Sequence, residues 1–321
     1  MIELQLSVAD LANTRFALSP LWEVTASIRV LKAPGEHVLH RRWARSAAAR
    51  LHGLDLRLLY DLVPVPTGGL PAFLAPPPTT STPDLATEVA LARRLAPERI
   101  RSGLDMLPST PAIEAFRADL DAGMAQLADQ IARYWDAALA PWWPRIRTLC
   151  EQDLLHRSRL LADGGAQRLF ADLAPQITWD PAGTLRIDNP LAEVAEVLGG
   201  RGLLLVPTVF GGERVFSVVA APWQPTVRYP PRGLGLLWQS PSRPAAAAGL
   251  AGVLGPTRAA LLAALAEPAA TIDLARRCDL TPGGVSQQLG LLHRAGLVSR
   301  HRVGRRVLYA RTLAAESLLT A

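Results

Sequence analysis

The chain has few cysteines and almost no lysine. Cys150 and Cys278 are the two cysteines among 321 residues, too few for a disulfide framework, and such scarcity is typical of a reducing cytosol. Lys32 is the only lysine, so arginine supplies the other 33 of the 34 basic residues. Because arginine is so common here, a single arginine carries little functional information.

Long apolar runs and catalytic motifs are also missing. The longest apolar stretches, residues 203–210 and 245–254, fall short of the roughly 18 residues that a membrane span requires. Glu3 and Asp10 interrupt the start of the chain, which lacks the pattern of a signal peptide. G-x-S-x-G, H-E-x-x-H, P-loop and G-x-G-x-x-G motifs are absent. We therefore expect a cytoplasmic protein, outside the membrane, that is not an enzyme and uses no cofactor.

Positive charge is concentrated at the C-terminal end. Residues 255–321 contain nine arginines and four acidic residues, which gives +5 of the formal net charge of +6. The other 254 residues hold 25 basic and 24 acidic groups and are close to neutral. A compact basic module beside a neutral body is typical of DNA-binding proteins, because neutralising phosphates supplies most of their non-specific affinity.

Helical patterns come first along the chain and strand patterns follow. Helices are predicted at 8–16, 20–32, 36–51, 85–94, 112–140 and 144–161, and strands at 177–179, 184–187, 203–209, 214–219 and 226–229. This order predicts an α+β fold, with a mostly helical N-terminal domain over 1–240 that has a small β-rich part. Residues 64–84, rich in Pro, Thr and Gly, are predicted to form a loop, and 241–244 a hinge before a C-terminal domain over 245–321.

The C-terminal domain has the pattern of a winged helix-turn-helix. Thr281 is a capping residue and Pro282 stands at the first position of a helix over 282–295, which Gly296 ends. At 100° per residue, its apolar residues fall on one side and its small and polar residues on the other. The predicted core side is Val285, Leu289 and Leu292, and the predicted exposed side is Gly283, Ser286, Gln287, Gly290 and Arg294, with Gln288 at the margin.

The exposed side suits a recognition helix. Glycines let the backbone approach the groove, and Ser286 and Gln287 offer groups that bond base edges or phosphates. After Gly296, residues 297–310 form two short extended runs around a turn at Gly304. We expect this wing to grip phosphates or the minor groove through a basic tip. The tip residues are Arg300, His301, Arg302, Arg305 and Arg306.

The string TIDLARRCDLTPGGVSQQLGLLHRAGLVSRHRVGRRVLYART resembles the DNA-binding core of ArsR-type repressors. The resemblance covers about 60 residues, and the whole chain is similar to actinobacterial regulators in which an N-terminal domain without an assigned role precedes this module. It implies a homodimeric repressor that binds double-stranded operator DNA and leaves it when a signal arrives, with a small-molecule effector as the candidate signal. It also implies that Thr281, Gly283, Gly284, Ser286, Gln287 and Gln288 face the major groove and that 300–306 is the wing.

The chain departs from the ArsR pattern in two ways. Metal-sensing members carry a Cys-x-Cys pair in the helix before recognition, whereas residues 271–275 contain no cysteine and Cys278 stands alone. The long C-terminal helix of the family is replaced by a short pattern at 313–319 without His or Asp. We therefore expect no metal site, and a dimer contact that moves to 245–265 or to the N-terminal domain.

Two polar clusters in the N-terminal domain have alternative interpretations. Glu36, His37 and His40 could form part of a metal site, but a solvated charged helix is the favoured interpretation. Cys150, Asp153 and His156 could be ligands or a nucleophile set, but we favour a buried cysteine beside an exposed aspartate and histidine.

The tryptophans suggest a third possibility. Eight Trp against six Phe is an unusual ratio, and Trp135, Trp142 and Trp143 flank a junction between two predicted helices. Such rings either fill a core or line a pocket for an apolar or cationic small molecule. These three residues are the candidate effector-binding site.

Three functions from different classes remain open. The favoured one is a transcriptional regulator, a repressor controlled through its N-terminal domain. The alternatives are an enzyme with an appended winged helix and an adaptor whose N-terminal domain recruits another protein. A cleft with convergent titratable groups would favour the enzyme, and an exposed apolar patch would favour the adaptor.

Overall fold

The computed structural model divides the chain into two compact units, residues 1–238 and 239–321. It describes residues 1–66, 69–190, 193–219, 221–238, 248–303, 306–312, 314–315 and 318. The predicted hinge at 241–244 lies outside the described residues, as do Gly304 and Arg305 of the predicted wing. Residues 313, 316, 317 and 319 of the predicted C-terminal helix lie outside them too.

Helices build most of the N-terminal unit. They are α1 (Val8–Ala12), α2 (Pro20–Lys32), α3 (Arg41–Leu51), α4 (Arg57–Asp61), α5 (Leu85–Arg93), α6 (Pro97–Asp105), α7 (Pro111–Ala118), α8 (Leu120–Tyr134) and α9 (Trp143–Ala171). Shorter segments are a π-helical turn at Trp135–Leu139 and 3-10 turns at Val38–His40, Ala72–Leu74 and Leu234–Leu236. In the described ranges, no helix is both long and apolar enough to cross a bilayer.

Local capping signals explain where the first helices begin. Ser7 Oγ accepts a hydrogen bond from Asp10 N at 3.2 Å, and Asp10 Oδ2 accepts one from Ser7 N at 2.9 Å, which forms a capping box. The predicted start of α1 is confirmed, but its predicted end at residue 16 is wrong. The helix stops at Ala12 because Arg15–Phe16 forms a strand.

Strands appear at both ends of the N-terminal unit. They are β1 (Ile2–Gln5), β2 (Arg15–Phe16), β3 (Ile177–Asp180), β4 (Thr184–Ile187), β5 (Val194–Val197), β6 (Leu204–Pro207), β7 (Phe216–Val218) and β8 (Thr226–Tyr229). Within the described residues, one sheet has the order β3-β4-β1-β5 and another the order β2-β6-β8-β7. The α+β prediction is confirmed, but the expectation that all strands follow the helices is wrong.

The first strand occupies an inner position that the sequence does not reveal. Ile2 pairs with Ile187 of antiparallel β4 and with Val194 of parallel β5. In the second sheet, parallel β6 and β8 pair Leu204 with Thr226 and are buried along their whole length. Strands covered on both faces carry continuous apolar runs, which explains the LLV sequence of β6.

The segment rich in Pro, Thr and Gly is packed against the fold instead of forming a free loop. Phe73 and Leu74 are buried in the helical core, and the three prolines at 76–78 are buried as well. Leu18 N donates to Ser81 O at 2.9 Å, which ties the segment to the start of α2. The described residues of 64–84 form no helix longer than the 3-10 turn at Ala72–Leu74, so the predicted loop is present but packed.

Two hydrophobic cores hold the N-terminal unit together. The larger core lies among the helices, where the buried Trp43 ring packs 4.3 Å from that of Phe210 and donates from Nε1 to Ala138 O. The smaller core packs the end of α9 against the sheets, with Phe170 beside Trp179. Helix α9 kinks at Gly164 and Gly165, close to its predicted end at 161.

The C-terminal unit contains four helices and one small sheet in its described residues. The elements are α10 (Ala248–Leu254), α11 (Pro256–Ala264), β9 (Ala269–Ala270), α12 (Thr271–Cys278), α13 (Pro282–Arg294), β10 (Val298–Val303) and β11 (Arg306–Arg311). The sheet order is β10-β11-β9. Helices α11 to α13 followed by a hairpin form a winged helix-turn-helix, as predicted.

Candidate nucleic-acid interface

The turn between α12 and α13 fixes where the predicted recognition helix starts. Asp279 adopts a left-handed conformation with φ of 56°, which reverses the chain after α12. Thr281 Oγ1 then accepts from Gly284 N at 3.2 Å, and Pro282 occupies the first helical position. The Thr281 oxygen is used as an acceptor, so its O–H remains able to donate to a phosphate.

One face of α13 is held in the core of the unit. Val285, Leu289 and Leu292 are buried and pack with Leu261 of α11 and Leu274 of α12. The predicted division of the helix is therefore confirmed on its apolar side. Burial of three large side chains stabilises the docked helix by several kcal/mol, roughly 2 for each.

The opposite face of α13 is open to solvent. Gly283, Ser286 and Gln287 are exposed, and Gly284 and Gln288 are half-buried. A Cβ atom built on Gly283 would meet no heavy atom within 4 Å. Nothing in this unit requires glycine at 283 for space, so the position is free for close approach by another molecule. The DNA contacts of these five residues stay predictions.

A Schellman motif ends α13. Leu297 N donates to Leu292 O at 2.9 Å and Gly296 N to His293 O at 3.0 Å. Gly296 has a φ of 71°, which favours glycine, and the prediction that it ends the helix is confirmed. Arg294, the last helical residue, is exposed next to this turn.

The hairpin that follows has the expected register. Strands β10 and β11 pair from Val298 with Arg311 to Val303 with Arg306. Two residues, 304 and 305, join them and lie outside the described part of the chain.

The basic residues of the wing do not share one face. Arg300 and Arg302 are exposed and two residues apart, so they lie on the same side of β10. His301 is half-buried on the other side, where its Nε2 lies 2.9 Å from Ser299 Oγ. Arg305 and the side chain of Arg306 are outside the described structure. Arg300 and Arg302 are therefore better placed than His301 to contact a phosphate.

Two arginines of the basic module serve the fold. Arg311 donates from Nε to Leu262 O at 2.8 Å and from Nη2 to Ala263 O at 2.9 Å. Arg277 donates to Ala264 O at 3.2 Å. These carbonyls end α11, and positive charge is stabilising at a helix C-terminus. Sequence reasoning counted these arginines only as charge, because nothing local shows that two distant residues meet the end of one helix.

The predicted Trp site is divided between two environments. The rings of Trp135 and Trp143 pack at a tilt of 60° with their centres 5.1 Å apart, and both line an open cleft of about 580 Å³ between α5 and α8. Trp142 instead packs edge-on against Trp238 at 5.3 Å in the helical core. The three rings therefore do not line one pocket, because the turn before α9 directs neighbouring side chains to different sides.

The interpretation of Glu36, His37 and His40 as a solvated helix is wrong for His40. This ring is buried, and its Nδ1 accepts from Trp238 Nε1 at 3.0 Å. Burial, reinforced by the charge of His37, lowers the pKa of His40 to about 4, so the ring is neutral. Among the described residues, no group of three or more His, Cys, Asp or Glu is placed to hold a metal ion.

The second polar cluster also differs from its prediction. Cys150 is buried as expected, and its burial raises the pKa of the thiol. Asp153, predicted to be exposed, is buried: it accepts from Tyr229 Oη at 2.8 Å and pairs with Arg157 at 3.5 Å. His156 is partly exposed and forms a hydrogen bond with Arg232. The cluster thus ties α9 to β8 as part of the fold.

Two sequence families match parts of the chain. A helix-turn-helix domain matches residues 254–301, and a family of unknown function (DUF5937) matches residues 111–234. No curated protein and no solved structure matches the chain. The first match spans α11 to α13 and the beginning of the wing, so the chain contains a helix-turn-helix domain of the kind typical of DNA-binding regulators.

Proposed function

We propose that this protein is an ArsR-type transcriptional repressor that binds double-stranded operator DNA. The observation that carries the proposal is the two-sided character of α13. Its apolar face is fixed in the core, while Gly283, Ser286 and Gln287 form an exposed face of small and amide side chains. Such a face enters the major groove without steric hindrance and offers donors and acceptors to base edges.

Each exposed group has a role in this proposal. Gly283 and Gly284 bring the start of α13 close to the DNA backbone, where helix N–H groups and the Thr281 hydroxyl face a phosphate. Ser286 and Gln287 read base edges, and Gln288 contacts phosphate at the margin. The remaining contacts are to the DNA backbone from Arg294, Arg300, His301, Arg302, Arg305 and Arg306.

The proposal extends to assembly and control. A cytoplasmic homodimer presents two recognition helices to half-sites about one helical turn, roughly 34 Å, apart. A small-molecule effector bound by the N-terminal domain changes the population of the DNA-competent arrangement. In this proposal the protein performs no catalytic step. The N-terminal unit is near neutral and the C-terminal unit is basic. This difference supports an effector site in the first unit and DNA binding by the second.

A single glycine substitution tests the docking of α13. A side chain at Gly283 has open space in the free protein, so Gly283→Leu should leave the fold intact and lower affinity for the protein's own upstream DNA at least tenfold. Gly235→Leu is the matched control, because that glycine is also exposed with nothing within 4 Å of a Cβ. Fluorescence anisotropy gives both affinities. Unchanged binding by Gly283→Leu would contradict the docking of α13 in the groove.

A further inference from the structure

A second and larger cavity lies in the N-terminal unit, away from Trp135 and Trp143. Its volume is about 820 Å³, within the range of roughly 300–1,000 Å³ typical of small-molecule sites. Its walls come from distant parts of the chain: α2, the segment around Leu70, the ends of β3 and β4, and strands β7 and β8. Because these segments are far apart in sequence, no local motif marks the site.

Two pairs of stacked side chains form one wall of this cavity. The guanidinium of Arg228 lies 4.1 Å from the ring centre of Trp22, and that of Arg29 lies 4.8 Å from the ring centre of Phe216. The two rings are 5.1 Å apart, edge to face. The cavity therefore presents two cations on neighbouring aromatic faces.

The charged residues that line the cavity differ in how deeply they are buried. Arg29 and Arg228 are buried, with 5% and 1% of their surface exposed. The carboxylates that line the cavity, Glu36 and Asp188, are both exposed, as is Arg214. A negative group that enters the cavity thus meets the two buried guanidinium groups, where Coulomb interactions are stronger than at the exposed rim.

The buried guanidinium groups are held at a cost in solvation. Burial lowers the pKa of Arg228 to about 10, and burial also lowers the pKa of Arg29. Arg228 donates from Nη2 to Ala75 O at 2.8 Å, but its buried Nε has no hydrogen-bond partner among the described residues. A buried donor without an acceptor is destabilising, so this guanidinium is incompletely satisfied by the surrounding fold.

The charge of Arg29 acts on His37, which also lines the cavity. Burial, together with that neighbouring charge, lowers the pKa of this histidine. Among the described residues, the charged ones that line the cavity are three arginines, Arg29, Arg214 and Arg228, and two carboxylates, Glu36 and Asp188, so the balance of charge is positive.

We propose that this cavity binds a small organic anion with an apolar body. Arg29 and Arg228 hold the acid group, and Trp22, Phe216 and Val218 pack against the apolar part. Binding itself is independent of DNA. Its use as the regulatory signal rests on the proposed function, in which this anion is the effector of the N-terminal domain.

A pair of fluorescent probes that differ by one charged group tests the site in the full-length protein without DNA. 8-Anilinonaphthalene-1-sulfonate is an anion with an aromatic body, and N-phenyl-1-naphthylamine is the same ring system without the acid. We expect one site per chain, with the anion bound at least about tenfold more tightly. Displacement by 2-naphthoate or by 2-naphthyl phosphate then distinguishes a carboxylate site from a phosphate site.

Matched substitutions locate the site. Arg29→Gln should weaken the anionic probe about tenfold and leave the neutral probe unchanged, since the neutral probe reports that the cavity remains folded. Arg214→Gln, at the exposed rim, should weaken binding of the anionic probe less and provides a second variant should Arg29→Gln unfold.

Ser217→Phe on edge strand β7 should fill the cavity and exclude both probes. Arg93→Gln removes an exposed arginine of the smaller cleft and should change neither affinity.

Two results would overturn the proposal. One is equal affinity for the charged and neutral probes, with no effect of Arg29→Gln or Arg214→Gln. The other is loss of the anion in Arg93→Gln but not in the cavity variants, which would place binding at the Trp135 cleft. Because DNA is absent from these measurements, failure of the DNA-binding proposal would leave the outcome unchanged.

Discussion

At the residue scale, the proposed function divides the exposed positions of α13 into those that allow approach and those that read sequence. Gly283 has no side chain and leaves the surface open, whereas Gln287 is exposed and carries an amide. An amide donates and accepts at once, which matches the paired acceptor and donor on adenine in the major groove. Substitutions at the two positions should therefore have different signatures.

Gln287→Ala should relax sequence preference at one base position. Loss of a base-specific contact lowers discrimination there by about 1–3 kcal/mol, while binding to unrelated DNA stays nearly the same because the phosphate contacts remain. Anisotropy with operators substituted one base pair at a time measures this. If Gln287→Ala weakens all sequences by the same factor, Gln287 contacts phosphate and does not read a base.

Glu88 is a buried structural residue, and from its raised pKa we expect the stability of the protein to depend on pH. Its carboxylate accepts from Ser19 Oγ at 2.7 Å and from Leu21 N at 2.8 Å, and burial raises its pKa from 4.5 to about 7. An acid whose pKa is higher in the folded state stabilises the fold below the unfolded value near 4.5. That contribution is lost as pH rises through about 7.

Glu88→Gln should remove this contribution to the pH dependence. Between pH 5 and pH 8 the free energy of unfolding of the wild type should fall relative to the variant, by up to about 3 kcal/mol. Glutamine keeps both hydrogen bonds, since the Ser19 hydroxyl can accept as well as donate. Glu23, whose pKa is also about 7, is present in both proteins and cancels in the comparison. Urea titrations followed by Trp fluorescence provide the values, and parallel pH profiles would contradict the assignment.

At the element scale, α13 depends on its two ends as well as on its apolar face. Thr281 fixes the start through Gly284 N, and Gly296 permits the left-handed turn that ends the helix. The wing then follows directly, because Leu297 N closes the Schellman motif onto Leu292 O. The position of the wing relative to α13 therefore relies on one glycine.

Gly296→Ala should destabilise the end of α13 by about 1 kcal/mol, because φ of 71° is unfavourable for a residue with a Cβ. Hydrogen exchange of peptides from 289–297 should become roughly fivefold faster. Gly290→Ala is the control: its Cβ would meet Arg294 Nη1 at 3.7 Å, an ordinary contact, and alanine favours the helix. Unchanged exchange in Gly296→Ala would show that the turn is not required.

The wing should contribute affinity without sequence preference. In Arg300→Gln/Arg302→Gln, affinity for all DNA should fall and the slope of log K against log salt should become shallower by up to about two phosphate contacts. The same reasoning applies to Arg305 and Arg306. Arg93→Gln/Arg94→Gln removes the same charge from exposed positions of the N-terminal unit. Equal slopes for both double variants and the wild type would contradict a role of the wing.

The elements that the sequence predicts well are those with local signals. The cap of α13, the period of Val285, Leu289 and Leu292, and the glycine after α13 all act within a few residues. Elements that depend on distant partners escape the prediction. Strand β1 has four residues and is defined by pairing with residues 184–187 and 194–197.

The same distinction holds for the candidate sites. The exposed face of α13 follows from helical periodicity, whereas Trp142 and Trp143 are adjacent and yet pack in different places. Asp153 is buried because Tyr229 and Arg157 meet it. The large cavity joins Trp22 to Arg228, and sequence alone gives no reason to pair them.

At the scale of the whole molecule, most of the net positive charge belongs to the C-terminal unit, and both cavities described above belong to the N-terminal unit. The C-terminal unit carries most of the net positive charge, in keeping with a polyanionic partner. The N-terminal unit is near neutral and contains the larger cavity with two buried arginines. The proposed function needs distinct sites for the effector and the operator, and two separate units provide them.

The central claim is that this chain recognises a DNA sequence through its winged helix-turn-helix. The most direct test is anisotropy of the purified full-length protein on its own upstream DNA, across a salt series and with scrambled competitor. We expect tight binding that resists scrambled DNA, with log K falling linearly as log salt rises. Weak binding that ignores sequence at every salt concentration would contradict it.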